Sequence, residues 1–139
     1  MNLYLDKITP AQWREISANA HRVSFGSNRD EDMDRINYAL IIRNDSGLCS
    51  YATIVEPDRD SAYMQHGGAF PNIEKTIYSV RCYFMVTNYL KEHYKTISTR
   101  IVNTNTPMIN LAHAAELLIN GVDCVDGDIF LNLFWKRKA

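Results

Sequence analysis

Along this chain the spacing of apolar residues switches several times between the helical and the extended period, and such alternation excludes both an all-helical bundle and an all-β sandwich. Trp13, Ile16, Ala20 and Val23 recur every three or four residues, so a helix running to about Ser24 presents them on one face. Thr9 can cap it, Pro10 suits the first helical position, Gln12 completes a capping box, and Gly26 ends it. The polar stretch 27–34 stays open between a loop and a short second helix near whatever the protein binds. From Ile36 the period shortens. Tyr38-Ala-Leu-Ile-Ile42 and the stretch 48–55 flank the turn residues Asn44-Asp-Ser-Gly47 and read as an antiparallel hairpin. A second turn over 57–60 leads into a strand over 61–69 that holds Gly67 and Gly68. Adjacent glycines inside a strand point to a bulge or to close approach by another backbone or a ligand.

Helical spacing returns with Ile73, Ile77, Val80 and Phe84, and a long central helix reaches about His93. Residues 95–102 read as a strand. A helix over 107–118 follows, buried through Met108, Leu111, Ala115 and Leu118, and the remainder is a hairpin with turns at Asn120-Gly121 and Asp126-Gly127. No internal repeat interrupts the series. With 139 residues, 46% of them hydrophobic, residues 1–139 fit one domain with a substantial core. The class is α+β.

A net charge of -1 with interspersed signs gives no long-range field toward DNA or a membrane surface. No signal-like or membrane-spanning run is present, so the expected location is cytoplasmic, with no nucleic-acid and no membrane partner. Cys49, Cys82 and Cys124 are odd in number and widely separated. Neither a disulfide framework nor a metal site is indicated, and the three are expected to be buried thiols.

Asn105, Met108, Ile109 and Leu111, then a short helix and a terminal hairpin ending in Leu131-Asn-Leu-Phe-Trp135, resemble the closing segment of the GNAT acyltransferase superfamily. The order of elements agrees along nearly the whole chain. The resemblance implies a mixed, mostly antiparallel twisted sheet of about six to seven strands flanked by about three to four helices. It also implies acetyl-CoA as the cofactor. In that superfamily the fourth and fifth strands splay and the pantetheine arm lies in the wedge, which falls here between residues 62–69 and 97–103. The pyrophosphate rests on backbone N–H groups at the start of the following helix, where the macrodipole favours an anion. By that likeness Gly67, Gly68, Ala69 and Lys75 would bind cofactor, together with Asn103 and Asn105 after the fifth strand. The two asparagines serve equally as capping residues before a helix.

The chain departs from the family pattern in the stretch 70–78, which has no glycine after Gly68 and contains Glu74. The tyrosine that the family often uses as general acid falls on Ala112. The glycine usually found just past that helix falls on Glu116, unless a longer helix brings Gly121 to the role.

Aminolysis of a thioester needs a base for the attacking ammonium and donors for the carbonyl oxygen. His66, just before the glycine pair, is the candidate base, since imidazole exchanges protons near neutral pH. Its bland alternative is a partly buried histidine satisfied by backbone. Tyr63 and Tyr78 are candidate acids or, equally, packing phenols. Glu56 and Asp58 could collect a basic substrate or act through water, against a plain solvated turn. His21, His93 and His113 lack ligand spacing and read as helix-surface residues.

Two functions follow. One is an acetyl-CoA-dependent N-acyltransferase acting on an amine of a small molecule or protein. The other is a catalytically inactive GNAT-like binding or structural module, similar to small phage-encoded domains with a virion or host-interaction role. Exposure among Tyr78, Tyr83, Tyr89 and Tyr94, and an edge strand with Phe130 and Phe134, would mark a homodimer or a protein partner.

Overall fold

Thr9 and Gln12 satisfy each other's backbone amides in the computed structural model. Thr9 N–H donates to Gln12 Oε1 at 2.9 Å, and Gln12 N–H donates to Thr9 Oγ1 at 3.2 Å. This reciprocal box starts helix α1 (Pro10–Phe25) directly after strand β1 (Tyr4–Ile8). The structure describes residues 2–25, 35–70 and 76–138, and for 18–25 the backbone alone. The expectations for 27–34, for Gly26 and for the side chains of Ala20, His21 and Val23 lie outside them.

Strands β2 (Tyr38–Asn44) and β3 (Gly47–Asp58) make the expected hairpin, with Gly47 at φ +136°, where a side chain would be strained. Then come β4 (Ser61–Ala69), α2 (Ile77–His93), β5 (Thr96–Val102), α3 (Thr106–Ala114), β6 (Leu118–Val125) and β7 (Asp128–Lys136). Asp126 at φ 51° and Gly127 at φ 84° close the last hairpin, both left-handed as a two-residue turn of matching twist requires. The strands form one seven-stranded sheet in the order β1-β2-β3-β4-β5-β7-β6. Only β4 and β5 pair in parallel. The chain is thus α+β, with three described helices on a mixed, mostly antiparallel sheet.

Because directly paired residues share a face, the register sorts the core into two layers. On one face Leu40, Ala52, Ile54, Met64, Ile97 and Leu133 meet Cys82, Val86 and Leu90 of α2 and Ala112 and Ala115 of α3. On the other, Trp13 of α1 packs with Ala39 and Tyr51, and its ring stacks on Tyr51 at a centroid distance of 4.8 Å. Trp13 is wholly buried, so truncation to alanine would cost roughly 3–5 kcal/mol.

Several expectations are corrected. Helix α3 stops at Ala114 instead of continuing to Leu118. Glu116 takes φ 73°, its N–H donates to the His113 carbonyl at 3.0 Å, and Leu117 N–H donates to the Ala112 carbonyl at 3.0 Å. These are the paired bonds of a Schellman stop, and the buried Leu117 and Ala112 supply its apolar contact. Leu118, 59% exposed, therefore begins a strand and is not part of the core. Asn120 and Gly121 lie inside β6 at a register shift, not in a turn. Phe130 and Phe134 sit on β7, which pairs on both sides, so the sheet edge is β6. Tyr78, Tyr83 and Tyr89 are half-buried and Tyr94 is buried, because all four turn at least partly onto the core. Cys49 and Cys82 are buried as expected, while Cys124 is exposed on β6. Among the described residues no helix is long and apolar enough to cross a membrane.

Candidate active site

β4 and β5 run in register from Ser61↔Thr96 to Met64↔Thr99 and no further. At that last pair Thr99 Oγ1 donates to the Met64 carbonyl at 3.0 Å. Beyond it β4 stays on β3 as far as Ala69↔Ser50, and β5 stays on β7 as far as Val102↔Phe130. The facing edges of 67–69 and 100–102 therefore have no strand partner across a wedge. Their backbone donors and acceptors suit an extended ligand that carries amides.

The wedge has a local cause. Thr53 pairs with His66 and Ile54 with Met64, which leaves Gln65 as an extra residue in β4. Thr53 is fully buried, and its Oγ1 accepts the His66 N–H at 3.1 Å, pinning the bulge. A bulge bends and twists its strand, and this one turns β4 away from β5 one residue past their last pair.

Two helix ends flank the open side. Lys95 and Thr96 donate their N–H groups to the Asp60 carbonyl at 2.8 and 3.1 Å, tying the end of α2 to the closed side. The start of α2, capped by Thr76 Oγ1 on the Tyr78 N–H at 3.2 Å, thus returns to the open side. α3 also begins there, since Asn105 N–H donates to the Val102 carbonyl at 3.0 Å and Asn105 Oδ1 accepts the Met108 N–H at 3.4 Å. Both positive helix poles point toward the mouth.

His66 and Tyr63 are brought together. They pair with Thr53 and Val55, whose alternation places them on the α1 face of the sheet, and both are half-buried. Ser98 of β5 stands opposite Tyr63 on that face. Gly67, Gly68 and Ala69 form the unpaired edge just beyond. A Cβ on Gly67 would come within 3.2 Å of the Tyr51 carbonyl, so the neighbouring strand of the sheet already accounts for that glycine. Lys75 lies outside the described residues. Asn105 is the cap of α3, and Asn103 is exposed after β5 with its N–H donating to the Ile129 carbonyl at 2.8 Å.

Glu56 is not brought to this pair. It follows Val55 and so falls on the opposite face, where it accepts a hydrogen bond from Tyr94. The Tyr38 and Tyr94 hydroxyls are 2.6 Å apart. A carboxylate only accepts, so Tyr94 donates to Glu56 and Tyr38 donates to Tyr94. Burial pushes the Tyr94 phenol up to about 12, with Glu56 adding to the rise, and burial followed by the bond to Tyr94 drives Tyr38 higher still. Asp58 accepts from the Asp60 N–H at 2.8 Å and from Ser61 Oγ at 3.3 Å, the work of a turn residue. Tyr78 is half-buried with the Arg81 guanidinium 5.5 Å from its ring centre.

The position resembling the family's tyrosine, Ala112, is packed in the core. Glu116 holds the left-handed conformation that a glycine usually takes, and its carboxylate meets Lys91 Nζ at 2.8 Å. One residue not legible in sequence is Tyr83, whose buried hydroxyl has no hydrogen-bond partner, and burial pushes its phenol up. Tyr83, Thr87 and Lys91 form one row along α2, and Lys91 meets Glu116 just past α3. The row therefore faces α3, with Tyr83 about 12 Å nearer the open side than Lys91. Spacing could have found the row but not the missing partner. Among the described residues no three His, Cys, Asp or Glu side chains cluster as a metal site. His93 and His113 are exposed on their helices.

In sequence, no family model and no curated protein matches this chain. Solved structures do match in shape. An IAA acetyltransferase from Bacillus cereus ATCC 14579 superposes with a TM-score of 0.76 at 8% identity, covering 97% of this chain and 99% of its own. The spermidine/spermine N-acetyltransferase of Vibrio cholerae gives 0.74 at 12% identity over 98% and 95%. A GNAT family acetyltransferase from Elizabethkingia anophelis with acetyl-CoA bound gives 0.74 at 10% identity over 97% and 98%. The fold of these acetyltransferases is the fold of this chain.

Proposed function

We propose that this chain, a divergent example of the GNAT fold, is an acetyl-CoA-dependent N-acyltransferase acting on an amine. The observation that carries the reading is the wedge, with bare strand edges between two helix starts. Acetyl-CoA supplies an activated acetyl group and a thiolate leaving group. The chain's residues fit an extended amide-bearing arm: the edge over 67–69 offers backbone partners, and Gly67, Gly68 and Ala69 add little side-chain bulk beside it. The start of α2 faces the phosphates, with Lys75 adding charge. Asn103 and Asn105 border the arm from the end of β5, and the Tyr83 hydroxyl finds its missing partner there.

His66 takes the proton from the attacking ammonium, so that the amine nitrogen bonds to the carbonyl carbon as the carbon–sulfur bond breaks. Tyr63, on the same face, returns a proton to the leaving thiolate. Glu56 serves the closed side through Tyr94. The acceptor is an amine of a small molecule or a protein. One neighbour in shape is named for spermidine and spermine, which supports a basic amine as the first class to screen.

Titration calorimetry with acetyl-CoA and CoA, on protein freed of copurified cofactor, tests the reading. Micromolar binding is expected. His66→Ala should spare binding and slow turnover, whereas Lys75→Ala should weaken binding. Equal activity for both variants and wild type would refute these assignments.

The buried Ala112 supports a second reading, a GNAT-like binding or structural module without catalysis, such as a phage virion or host-interaction protein. No binding at millimolar ligand selects that reading.

A further inference from the structure

We infer that the β6 edge joins a second copy of this chain, strand to strand and antiparallel about a two-fold axis. Of the large apolar side chains exposed among the described residues, Leu118, Ile119, Val122, Val125 and Ile129 lie on the terminal hairpin, and only Tyr4 and Ile77 lie elsewhere. Every residue of β6 but Gly121 is exposed, and the strand has one neighbour in the sheet, β7. Edges that stay single usually carry lysine or proline or are short. β6 is eight residues long with neither, and the bulge at Asn120 and the charge of Asp123 are its features that resist pairing.

The sequence of β6 is complementary to itself read backwards. Pairing that sets Leu118 against the partner's Val125 also sets Ile119 against the partner's Cys124 and, with Asn120 passed over as the extra residue of the bulge, Gly121 against the partner's Asp123 and Val122 against the partner's Val122. Apolar then meets apolar at every pair but Gly121 with Asp123, and no like charges are directly opposed. A register centred on Asp123 would put that carboxylate against its own copy, which is unfavourable.

Charge selects the same orientation. The turn end of the hairpin carries Asp123, Asp126 and Asp128, and its open end carries Lys136 and Lys138. Arg137 is already engaged, donating to the Lys91 and Glu92 carbonyls at 2.7 and 3.3 Å. About a two-fold axis, each acidic end meets the partner's basic end, and the symmetric, isologous contact closes at two copies. The inference stands apart from the catalytic reading, since β6 is not part of the wedge.

Sedimentation equilibrium across the micromolar range is expected to show a dimer. Val122→Lys, on the axis, sets two lysines against each other and should raise the dissociation constant at least about tenfold with unchanged circular dichroism. Ile77→Lys, on an exposed apolar residue of α2, should leave it unchanged. Ile119→Cys should cross-link to Cys124 of the partner under oxidation, since directly opposed strand positions meet disulfide spacing. The unmodified chain, with its two Cys124 thiols several residues out of register, should not. A monomer throughout would overturn the inference and leave the edge to a strand from another protein. A dimer indifferent to Val122→Lys, or an Ile119→Cys variant that does not cross-link, would equally overturn it.

Discussion

Thr99 Oγ1 donates to the Met64 carbonyl at 3.0 Å, and these residues are the last pair at which β4 and β5 run together. The bond closes the apex of the wedge, so its loss should act on the wedge before the rest of the fold. Thr99→Val keeps the side-chain shape and removes the donor. The expected cost is about 0.5–1.5 kcal/mol in urea unfolding, with acetyl-CoA binding weakened as the apex loosens. A variant with wild-type stability and binding would remove this bond from any role at the site.

Tyr83 should behave in the opposite sense. Its buried hydroxyl lacks a partner in the chain, so Tyr83→Phe removes a desolvated polar atom and leaves stability unchanged or up to about 1 kcal/mol higher. If the hydroxyl bonds the cofactor arm, the same variant binds CoA roughly two- to tenfold more weakly. Thermal unfolding with and without CoA separates the two effects. A variant destabilised without ligand would mean that the hydroxyl has a structural partner.

How much of this could be read in sequence depended on the range of the cause. Thr9 with Gln12, and Asp126 with Gly127, act within a turn of chain, and both were legible because local chemistry decides them. The mixed, mostly antiparallel sheet was legible through resemblance, and the two periods marked the elements. Asn120-Gly121 misled because a turn dipeptide can equally sit in a bulge, and pairing with β7 settled which. Leu118 misled because helical spacing continues past the stop at Glu116, where buried Leu117 and Ala112 fix the chain's exit. The wedge was implied by resemblance, but its cause, Gln65 as an extra residue against Thr53 of the neighbouring strand, is revealed by the register alone. Glu56 was a candidate to collect a basic substrate or act through water, but alternation along β3 puts it on the face opposite His66, with Tyr94.

Glu116 is a second place to intervene. A side chain at φ 73° is strained, and glycine takes that conformation freely, so Glu116→Gly should raise the melting temperature by roughly 2–4 °C. Glu116→Val, branched at the same φ, should lower it. The hydrogen bond from Lys91 holds the Glu116 carboxyl below the usual carboxylate range. A depressed value contributes stability above the ordinary carboxylate pKa, and that contribution is lost as pH falls through the lowered one. Glu116→Gly should therefore also flatten the acid limb of the stability curve. A melting temperature that drops would show that the ion pair with Lys91 outweighs the strain.

The Tyr38–Tyr94–Glu56 chain predicts an alkaline limit to stability. Burial raises the Tyr94 phenol from the ordinary 10 to about 12, and the folded state therefore holds its proton where the unfolded chain releases it. The contribution is complete below pH 10 and is lost as pH rises toward about 12. Tm should fall across that window. Tyr94→Phe removes the titrating group and should flatten the fall, although it also breaks the bond from Tyr38 and lowers Tm at neutral pH by the loss of a buried pair. Glu56→Gln separates the contributions: Tyr94 keeps a carbonyl oxygen to donate to, but the nearby charge is gone, so its phenol titrates lower and the decline begins at lower pH. An absorbance titration of tyrosinate run beside the melts reads the same group directly. Identical curves for wild type and Glu56→Gln would mean that the carboxylate does not act on the pair.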